Sequence, residues 1–265
     1  MSFNSNRTTY LKPLWFERLN VSESKELIRS YQTSVVYISV GYVVLTFLGR
    51  WWMRNRKPFK LRRPLIAWNL ILAIFSTIGF WRTFPTFVAL LTQPDGIYRS
   101  VCTYDYTSDT EAFWGLMYTI SKLFEFVDTV FIVLRKAPLL FLHWFHHMSM
   151  AIFMFYLYPI GDPVGRWGGI LNYGVHSIMY SYYSVKMGGF QVPKSVSSII
   201  TMLQMGQFVL TLFANVYALV MFGIGYPCAL SNMTIFIQFV GGTSYLILFA
   251  NYYYQTYVKL KPKSA

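Results

Sequence analysis

Seven apolar runs, each close to the length that a helix needs to cross a bilayer, dominate the sequence. A transmembrane helix takes roughly 20 apolar residues, because each residue rises by about 1.5 Å across about 30 Å of hydrocarbon. The pattern therefore predicts an all-α, polytopic membrane protein with seven transmembrane helices. The runs are 34–49, 65–80, 112–134, 139–158, 167–186, 196–221 and 233–258, and a shorter stretch at 84–91 either extends the second helix or lies at the interface.

The composition excludes most other classes of protein. Of the 265 residues, 55% are hydrophobic and only 12% are charged, against about 25% charged in an ordinary soluble domain. A soluble globular protein, a disordered chain and a disulfide-dense secreted scaffold are all excluded by this balance. The net charge of +13 comes largely from basic residues that flank the apolar runs, so it indicates membrane topology rather than a nucleic-acid partner.

The basic residues concentrate on one side of the predicted membrane domain. Segments 50–63, 135–138, 186–195 and 259–265 contain 7, 2, 2 and 3 Lys or Arg and no Asp or Glu. Because cytosolic loops carry the excess of basic residues, these segments are expected to face the cytosol. The sequence then divides into a lumenal N-terminal segment (1–32), a seven-helix membrane domain (33–258) and a cytosolic tail (259–265).

Short signals point to the endoplasmic reticulum. The first 30 residues contain no apolar core of a cleavable signal peptide, so the first span is expected to act as a signal anchor. Lys261 and Lys263 match the K-x-K-x-x retrieval pattern of endoplasmic-reticulum membrane proteins, although an ordinary basic tail would match it as well. Asn6 and Asn20 begin glycosylation sequons on the predicted lumenal side.

The two cysteines are expected to form a disulfide. Cys102 and Cys228 both lie in loops that follow even-numbered spans, which places both on the lumenal side, where oxidising conditions allow a disulfide. The alternative is two unrelated thiols. In either case no cysteine lies on the cytosolic side, which disfavours a thiolate nucleophile.

Charged, imidazole and amide side chains inside the predicted spans form four helical stripes. Placing such groups in lipid costs free energy, so each of them is first interpreted as a functional residue. Residues three, four or seven positions apart share one face of a helix. The stripes are Lys122, Glu125, Asp128 and Thr129; His143, His146 and His147; Asn172, His176, Tyr180 and Tyr183; and Thr201, Gln204 and Gln207.

Most of these stripes also have a structural interpretation. The first could be a buried ion cluster that fixes helix packing, the tyrosines a packing seam, and the amides interhelical hydrogen bonds. Three histidines on one apolar helix are harder to explain in this way, because each needs a partner in lipid. Counting residues from the cytosolic ends places all four histidines of the chain in one layer. This predicts a polar chamber open to the cytosol, continued by an apolar half-channel about 20 Å deep.

Four segments together resemble the fatty-acid elongase family (very-long-chain 3-oxoacyl-CoA synthases) of the endoplasmic reticulum. They are KLFEFVDT at 122–129, HWFHH at 143–147, HSIMYSYY at 176–183 and TMLQMGQ at 201–207. Their context looks most like the branch that elongates saturated and monounsaturated chains. The resemblance implies that helices 2–7 form a closed barrel around an acyl tunnel, with the first helix outside.

The resemblance also implies a reaction and its partners. Long-chain acyl-CoA and malonyl-CoA would condense to 3-oxoacyl-CoA, with release of carbon dioxide and CoA, and no cofactor would be needed. The product would pass to a 3-oxoacyl-CoA reductase, a 3-hydroxyacyl-CoA dehydratase and an enoyl reductase in the same membrane. Homo-oligomerisation stays open.

Within this scheme each stripe has an expected role. His146, the middle histidine of the family's box, would be the nucleophile that accepts the acyl group, and His143 and His147 would orient it or move protons. His176 would stand across the tunnel near the malonyl group. Glu125 and Asp128 would hold Lys122 and a histidine in the required state. Oxyanion donors would be Lys122, Asn172, Gln204 and Gln207; Tyr180, Tyr183 and Thr201 would contact substrate, and Arg135, Lys136 and Lys194 the phosphates of CoA.

Two other classes of protein share part of this pattern. A di-iron desaturase or hydroxylase also contains H-x-x-H-H, but such enzymes resemble one another in carrying about eight histidines, and this chain has 4. A seven-helix receptor or transporter has the same expected topology. A receptor is disfavoured because the polar layer is expected to lie toward the cytosol. A transporter is disfavoured because the polar groups are expected to stop short of the lumenal half.

Overall fold

The computed structural model describes residues 11–103, 108–229 and 231–259, and within these ranges every regular element is helical. A 3-10 turn at Trp15–Glu17 comes before the first α-helix, and a π-helical turn at Tyr254–Val258 follows the last one. The α-helices are α1 (Val21–Ser30), α2 (Gln32–Met53), α3 (Arg62–Leu91), α4 (Gly96–Cys102), α5 (Asp109–Phe124), α6 (Phe126–Leu134), α7 (Phe141–Ile160), α8 (Pro163–Met187), α9 (Lys194–Gly223) and α10 (Asn232–Tyr253).

Several helices are long and apolar enough to cross a membrane, so the chain is a multi-pass membrane protein. By length and hydropathy alone, α2, α3, α9 and the continuous segment Asn232–Val258 qualify among the described residues. The segments α5–α6, α7 and α8 carry the charged and histidine stripes, and these side chains lower the mean hydropathy of their helices. The segments that are least obviously transmembrane are therefore those that carry the candidate site.

The long helices pack in a circuit. Contacts run from α3 to α8, then to α9, α10, α7 and α5, and from α5 back to α3. The helix α2 packs against α6 and α7, and α1 lies against α7. Buried aromatic side chains fill the contact between α5 and α8, where Trp114, Tyr118 and Tyr173 form one cluster. Side chains that point into this circuit face one another rather than lipid.

The third predicted span is not one uninterrupted helix. The run 112–134 divides into α5 and α6 at Glu125, where the N–H of Asp128 donates to the Glu125 carbonyl at 3.1 Å. An i+3 bond of this kind tightens the backbone locally, and such breaks often accompany functional positions. The run thus consists of two consecutive helices rather than one, and Glu125 and Asp128 beside the break face different partners.

Other elements extend or add to the expected ones. The helix α3 continues through Pro85 to Leu91, so the stretch 84–91 extends the second span. The short helices α1 and α4 were not expected, because one is amphipathic and the other spans only 7 residues. Asn20 is the N-cap of α1, and its side chain accepts the N–H groups of Ser22 and Glu23. The sequon residue Asn6 and the tail residues Lys261 and Lys263 lie outside the described residues.

The two ends of the helix circuit differ in chemistry. We call the end that carries the α2–α3, α6–α7 and α8–α9 connections the basic end, because Lys and Arg crowd these segments. The opposite end is called the disulfide end, because Cys102 at the end of α4 is joined there to Cys228 before α10. At this end Gly161, with a φ of 76° that glycine adopts readily, terminates α7 and allows Asp162 to cap α8.

Candidate active site

Glu125 is the centre of the polar cluster between α5, α7 and α8. Its Oε1 accepts from the Lys122 Nζ at 2.6 Å, and the same ammonium donates to the Asn172 Oδ1 at 3.0 Å. The Nδ1 of His147 lies 3.8 Å from one carboxylate oxygen and the Nδ1 of His176 lies 3.7 Å from the other. Since Glu125 is only 3% exposed, this buried carboxylate depends on Lys122 for its charge balance.

Asp128 faces a different pair of partners. Its Oδ1 accepts from the indole Nε1 of Trp68 at 2.6 Å, and its Oδ2 accepts from the hydroxyl of Tyr180 at 2.8 Å. The ring of Tyr180 also lies edge-on to His176, with 5.2 Å between centroids. Asp128 therefore ties α3 and α8 to α6 and fixes the wall beside His176.

His143 is held by a chain of hydroxyl groups that begins on α2. The Tyr42 hydroxyl lies 2.7 Å from the Thr129 Oγ1, and that oxygen lies 2.9 Å from the His143 Nε2. His143 in turn packs on His147, with 4.3 Å between the ring centroids. A helix outside the circuit thus reaches the histidine cluster through two hydrogen bonds.

All four histidines line one cavity of about 670 Å³. The cavity extends from the histidine layer toward the basic end, where Arg135, Lys186 and Lys194 line it. Of the remaining predicted residues, Asp128, Tyr180, Tyr183, Thr201 and Gln204 also belong to its wall. Each of the four predicted stripes therefore contributes at least one residue to this cavity, whereas Lys122, Glu125 and Thr129 do not line it.

His146 alone among the histidines also lines a second cavity. This cavity, about 90 Å³, contains Asn172 and Gln207 in its wall. The His146 ring is surrounded by aromatic rings, with centroid distances of 4.9 Å to Tyr245 and 6.1 Å to Phe249. No hydrogen bond to this ring occurs among residues 11–103, 108–229 and 231–259. His146 therefore stands where the wide cavity meets the narrow one, with its nitrogens not engaged by those residues.

A third cavity continues the series toward the disulfide end. It also measures about 90 Å³ and shares Tyr118, Met154 and Leu157 with the second one. Its wall includes Glu111 and Asp162, so two acidic residues lie at the far end of the expected apolar half-channel. Asp162 is there because it caps α8, accepting the Gly165 N–H at 2.9 Å. Helix capping brings a polar group to the far end of an otherwise apolar passage.

Several predicted contacts are directed elsewhere. Lys136 does not line any of the three cavities; its Nζ donates to the carbonyls of Arg54 and Arg56 at 3.0 and 3.1 Å, because the backbone at Lys136 turns away with a φ of 55°. Gln204 directs its amide to the Met179 sulfur at 3.1 Å. Thr201 donates to the Ser197 carbonyl of its own helix.

Lys122 is also less free than expected. Two of its N–H groups point to Glu125 and Asn172, and its Nζ lies 4.3 Å above the Tyr118 ring. An ammonium has three donors, so few remain for an oxyanion. The arrangement fits a residue that positions Glu125 and Asn172, and it leaves the Asn172 amide NH₂ available to donate.

Four residues of this site were missed by sequence reasoning. Tyr42 and Trp68 sit on strongly apolar helices, where a lone Tyr or Trp is commonly an interfacial or packing residue. Tyr245 bonds to Ser149 at 2.7 Å and packs on His146, and Lys186 lines the wide cavity although it had been read as topology charge. The spacing of these residues in the sequence gave no signal of their place in the site.

The cluster does not have the geometry of a metal centre in the described part of the chain. No group of three or more His, Cys, Asp or Glu side chains there converges on a common point suited to a metal ion. The imidazole nitrogens of His147 and His176 that approach Glu125 lie beyond hydrogen-bond distance of it. The arrangement offers carboxylate–imidazole and ammonium–carboxylate pairs rather than a ligand cage.

Comparison with known proteins shows the family to which the chain belongs. The profile of the ELO family, described as the GNS1/SUR4 family, matches residues 27–265. "Very long chain fatty acid elongase 6" of Drosophila melanogaster is 40% identical over 85% of this chain and 72% of its own. "Putative fatty acid elongase 3" of Caenorhabditis elegans is 37% identical over 97% and 76%, and "Very long chain fatty acid elongase 3" of Mus musculus is 36% identical over 96% and 93%. The chain belongs to the ELO (GNS1/SUR4) family.

Proposed function

We propose that this chain is the condensing enzyme of fatty acid elongation, which joins a long-chain acyl-CoA to malonyl-CoA and forms 3-oxoacyl-CoA, carbon dioxide and CoA. The relatives named as fatty acid elongases match most of its length. The observation that carries the proposal is the place of His146, between a wide cavity that reaches the basic end and a narrow passage that leads away from it. A CoA thioester in the wide cavity would project its acyl chain past His146.

The proposal includes a closed barrel of six helical segments around this passage. The circuit of contacts through α3, α8, α9, α10, α7 and α5 supports it. With α2 beside the barrel, the chain would cross the membrane seven times, since α5–α6, α7 and α8 each reach or exceed the roughly 20 residues that a span needs. The acyl tunnel would consist of the three cavities in series.

The first chemical step would be transfer of the acyl group to His146. A ring nitrogen attacks the thioester carbonyl, the carbon–sulfur bond breaks, and the imidazole proton leaves with CoA as its thiol. The rings of Tyr245 and Phe249 surround the imidazole without forming a hydrogen bond to it, which leaves its nitrogens available for attack. The Asn172 amide, in the wall of the adjoining cavity, would donate to the developing oxyanion.

The second step would be condensation with malonyl-CoA. Its carbon–carbon bond to the carboxylate breaks with release of carbon dioxide, and the resulting enolate attacks the acyl carbonyl and expels the imidazole. A proton returns to the imidazole, which restores the resting enzyme. His176 would face the malonyl group, and Glu125 would hold the Nδ1 sides of His147 and His176 while Lys122 balances its charge.

The mouth of the wide cavity would bind the CoA portion. Arg135, Lys186 and Lys194 line it, and basic groups suit the phosphates of CoA. The reaction needs only the two CoA thioesters, and no cofactor is invoked. The 3-oxoacyl product would serve a reductase, a dehydratase and an enoyl reductase in the same membrane.

Topology completes the proposal. The basic end would face the cytosol, and the disulfide end and the N-terminus the lumen of the endoplasmic reticulum. The exposed position of Asn20 and the disulfide between Cys102 and Cys228 support this orientation. Protease protection of epitope tags in sealed microsomes tests it: the N-terminal tag should be protected and the C-terminal tag digested, and the reverse result would contradict the orientation.

The activity is tested directly with purified protein in detergent. With a saturated long-chain acyl-CoA and malonyl-CoA, 3-oxoacyl-CoA, carbon dioxide and CoA should appear in equal amounts. Omission of the acyl-CoA should reduce carbon dioxide release to background, since decarboxylation is coupled to condensation. A protein that folds and yields no 3-oxoacyl-CoA from any acyl length would refute the proposal.

A further inference from the structure

A buried carboxylate at the disulfide end joins the N-terminal segment to the helix circuit. Glu17, on the 3-10 turn, is 0% exposed. Its Oε1 accepts from the Arg82 Nε at 2.7 Å and from the Trp114 Nε1 at 2.8 Å. Its Oε2 accepts from the backbone N–H of Leu14 at 2.8 Å, from the Thr110 hydroxyl at 3.2 Å and from a second Arg82 nitrogen. Five donors therefore converge on one carboxylate from three parts of the chain.

Trp114 connects this cluster to the acyl passage. Its indole N–H is directed to Glu17, while its ring lines the cavity farthest from the histidines. Tyr173 holds the backbone of Trp114 through a 2.8 Å bond to its carbonyl, and the two rings meet edge-on at 6.0 Å. The orientation of a wall residue in the last cavity is thus fixed from outside the circuit by the side chain of Glu17.

The third cavity is where the methyl end of a long acyl chain would stop. It is small, about 90 Å³, and lies beyond the cavity that His146 adjoins. Bulky rings of Trp114, Tyr118 and Tyr173 stand in its wall. Each additional methylene that finds room gains about 0.8 kcal/mol of transfer free energy, so the position of one ring is enough to discriminate between acyl chains that differ by two carbons.

We propose that Glu17 is a positioning residue that sets the longest acyl chain this enzyme accepts, by holding Trp114 in the wall of the third cavity. The inference rests on the proposed function and adds a determinant of its substrate class, the length of a saturated acyl chain. The N-terminal segment, which precedes the first predicted span, thereby becomes part of the specificity apparatus.

Two variants test the role of this contact. Trp114→Phe removes the indole N–H and keeps a ring, and Glu17→Gln replaces one acceptor oxygen by a donor that faces other donors. Both should free the ring and raise kcat/KM for the acyl-CoA two carbons beyond the wild-type limit roughly tenfold, through a lower KM. For chains well below the limit, the kcat of the Glu17→Gln variant should stay unchanged. Glu26→Gln, in the exposed Arg29–Glu26 pair, is the matched control and should keep the wild-type length profile.

The outcomes separate this inference from the proposed function. A general structural role for Glu17 would lower activity equally at all lengths, and that result overturns the inference. If Glu17→Gln does not fold, Trp114→Phe alone decides, and a wild-type length profile in a folded Trp114→Phe protein also overturns it. A wild-type enzyme without 3-oxoacyl-CoA formation at any length refutes the proposed function itself, and the inference with it.

Discussion

Two buried glutamates, Glu125 near the histidines and Glu17 at the disulfide end, show two uses of one kind of ion pair. Both are almost inaccessible to solvent and both are paired with a cation, Lys122 in one case and Arg82 in the other. The oxygens of Glu17 receive five hydrogen bonds from backbone and side chains. Among the described residues, the oxygens of Glu125 receive one hydrogen bond, from Lys122. Two imidazole nitrogens lie farther away, at 3.7 and 3.8 Å.

The two glutamates differ in the surroundings of the side chains next to them. Around Glu125, His147 and His176 line the wide cavity, so a bound ligand can reach their rings. Around Glu17 every acceptor position is occupied, which makes it a structural clamp. Burial of Glu17 opposes its ionisation, but the bonds from Arg82, Leu14 and Trp114 and the charge of Arg82 outweigh this and lower its pKa to about 2. A satisfied carboxylate holds structure, and an incompletely satisfied one beside a cavity can serve chemistry.

The largest effect is expected for the residue at the cavity junction. His146→Ala should reduce condensation by roughly a thousandfold or more, because the nucleophile of a two-step transfer is removed. Trp144→Phe is the matched control on the same helix, because Trp144 packs on Phe47 of α2 and lines none of the three cavities. The activity of this variant should be near that of the wild type. Initial rates of 3-oxoacyl-CoA formation measure both. Substantial turnover by folded His146→Ala would remove the covalent scheme.

Replacing the lysine or arginine that pairs with each buried glutamate tests directly whether the two carboxylates have different roles. Lys122→Met and Arg82→Met each leave a buried charge without its partner, so both should lower the free energy of unfolding by about 3–5 kcal/mol. Only Lys122→Met should also abolish condensation at all acyl lengths, since only Glu125 adjoins the histidines. Chemical denaturation in detergent gives the free energy of unfolding. Initial rates, measured at a temperature where both variants are folded, give the condensation activity. Equal losses of activity would contradict the distinction between clamp and site.

The pH dependence of stability sharpens the description of Glu17. Its folded pKa of about 2 lies below the ordinary value of 4.5, so its contribution is fully present above pH 4.5 and is lost as the pH falls toward 2. Between pH 6 and pH 3 the wild type should lose about 2 kcal/mol that the Glu17→Gln variant does not lose. Denaturant titrations in detergent at the two pH values measure it. Parallel pH profiles would show that Glu17 is not ionised in the clamp.

The smallest effect is expected for the hydroxyl chain from α2. Tyr42→Phe removes the bond to Thr129 and loosens His143, which should lower the free energy of unfolding by about 1 kcal/mol and slow condensation several-fold. Tyr37→Phe, on the same helix and 74% exposed, should change neither. A slowed Tyr37→Phe variant, or an unaffected Tyr42→Phe variant, would separate α2 from the site.

Much of the helical framework could be predicted from the apolar runs. Which helices pack against one another could not. The runs 139–158, 167–186, 196–221 and 233–258 differ from α7, α8, α9 and α10 mainly at their ends. The helix break at Glu125 has no apolar signature, because residues on both sides of it are hydrophobic. Short amphipathic elements such as α1 depend on the helices that they pack against, which no local pattern specifies.

The site could be predicted only where the spacing of polar residues places them on one face of the same helix. Spacing places His143, His146 and His147 on related faces, and the structure brings them together with His176 around one cavity. Spacing gives no information on Trp68 or Tyr42, which reach Asp128 and Thr129 from other helices. No spacing pattern pairs Glu17 with Arg82, since 65 residues separate them and only the fold brings them together.

Mass spectrometry of the protein after incubation with acyl-CoA alone tests the central claim most directly. If the acyl group passes to His146 before malonyl-CoA is used, the peptide that contains His146 should carry one acyl group, and addition of malonyl-CoA should remove it as 3-oxoacyl-CoA. An active preparation in which the acyl group never attaches to this peptide would contradict the account.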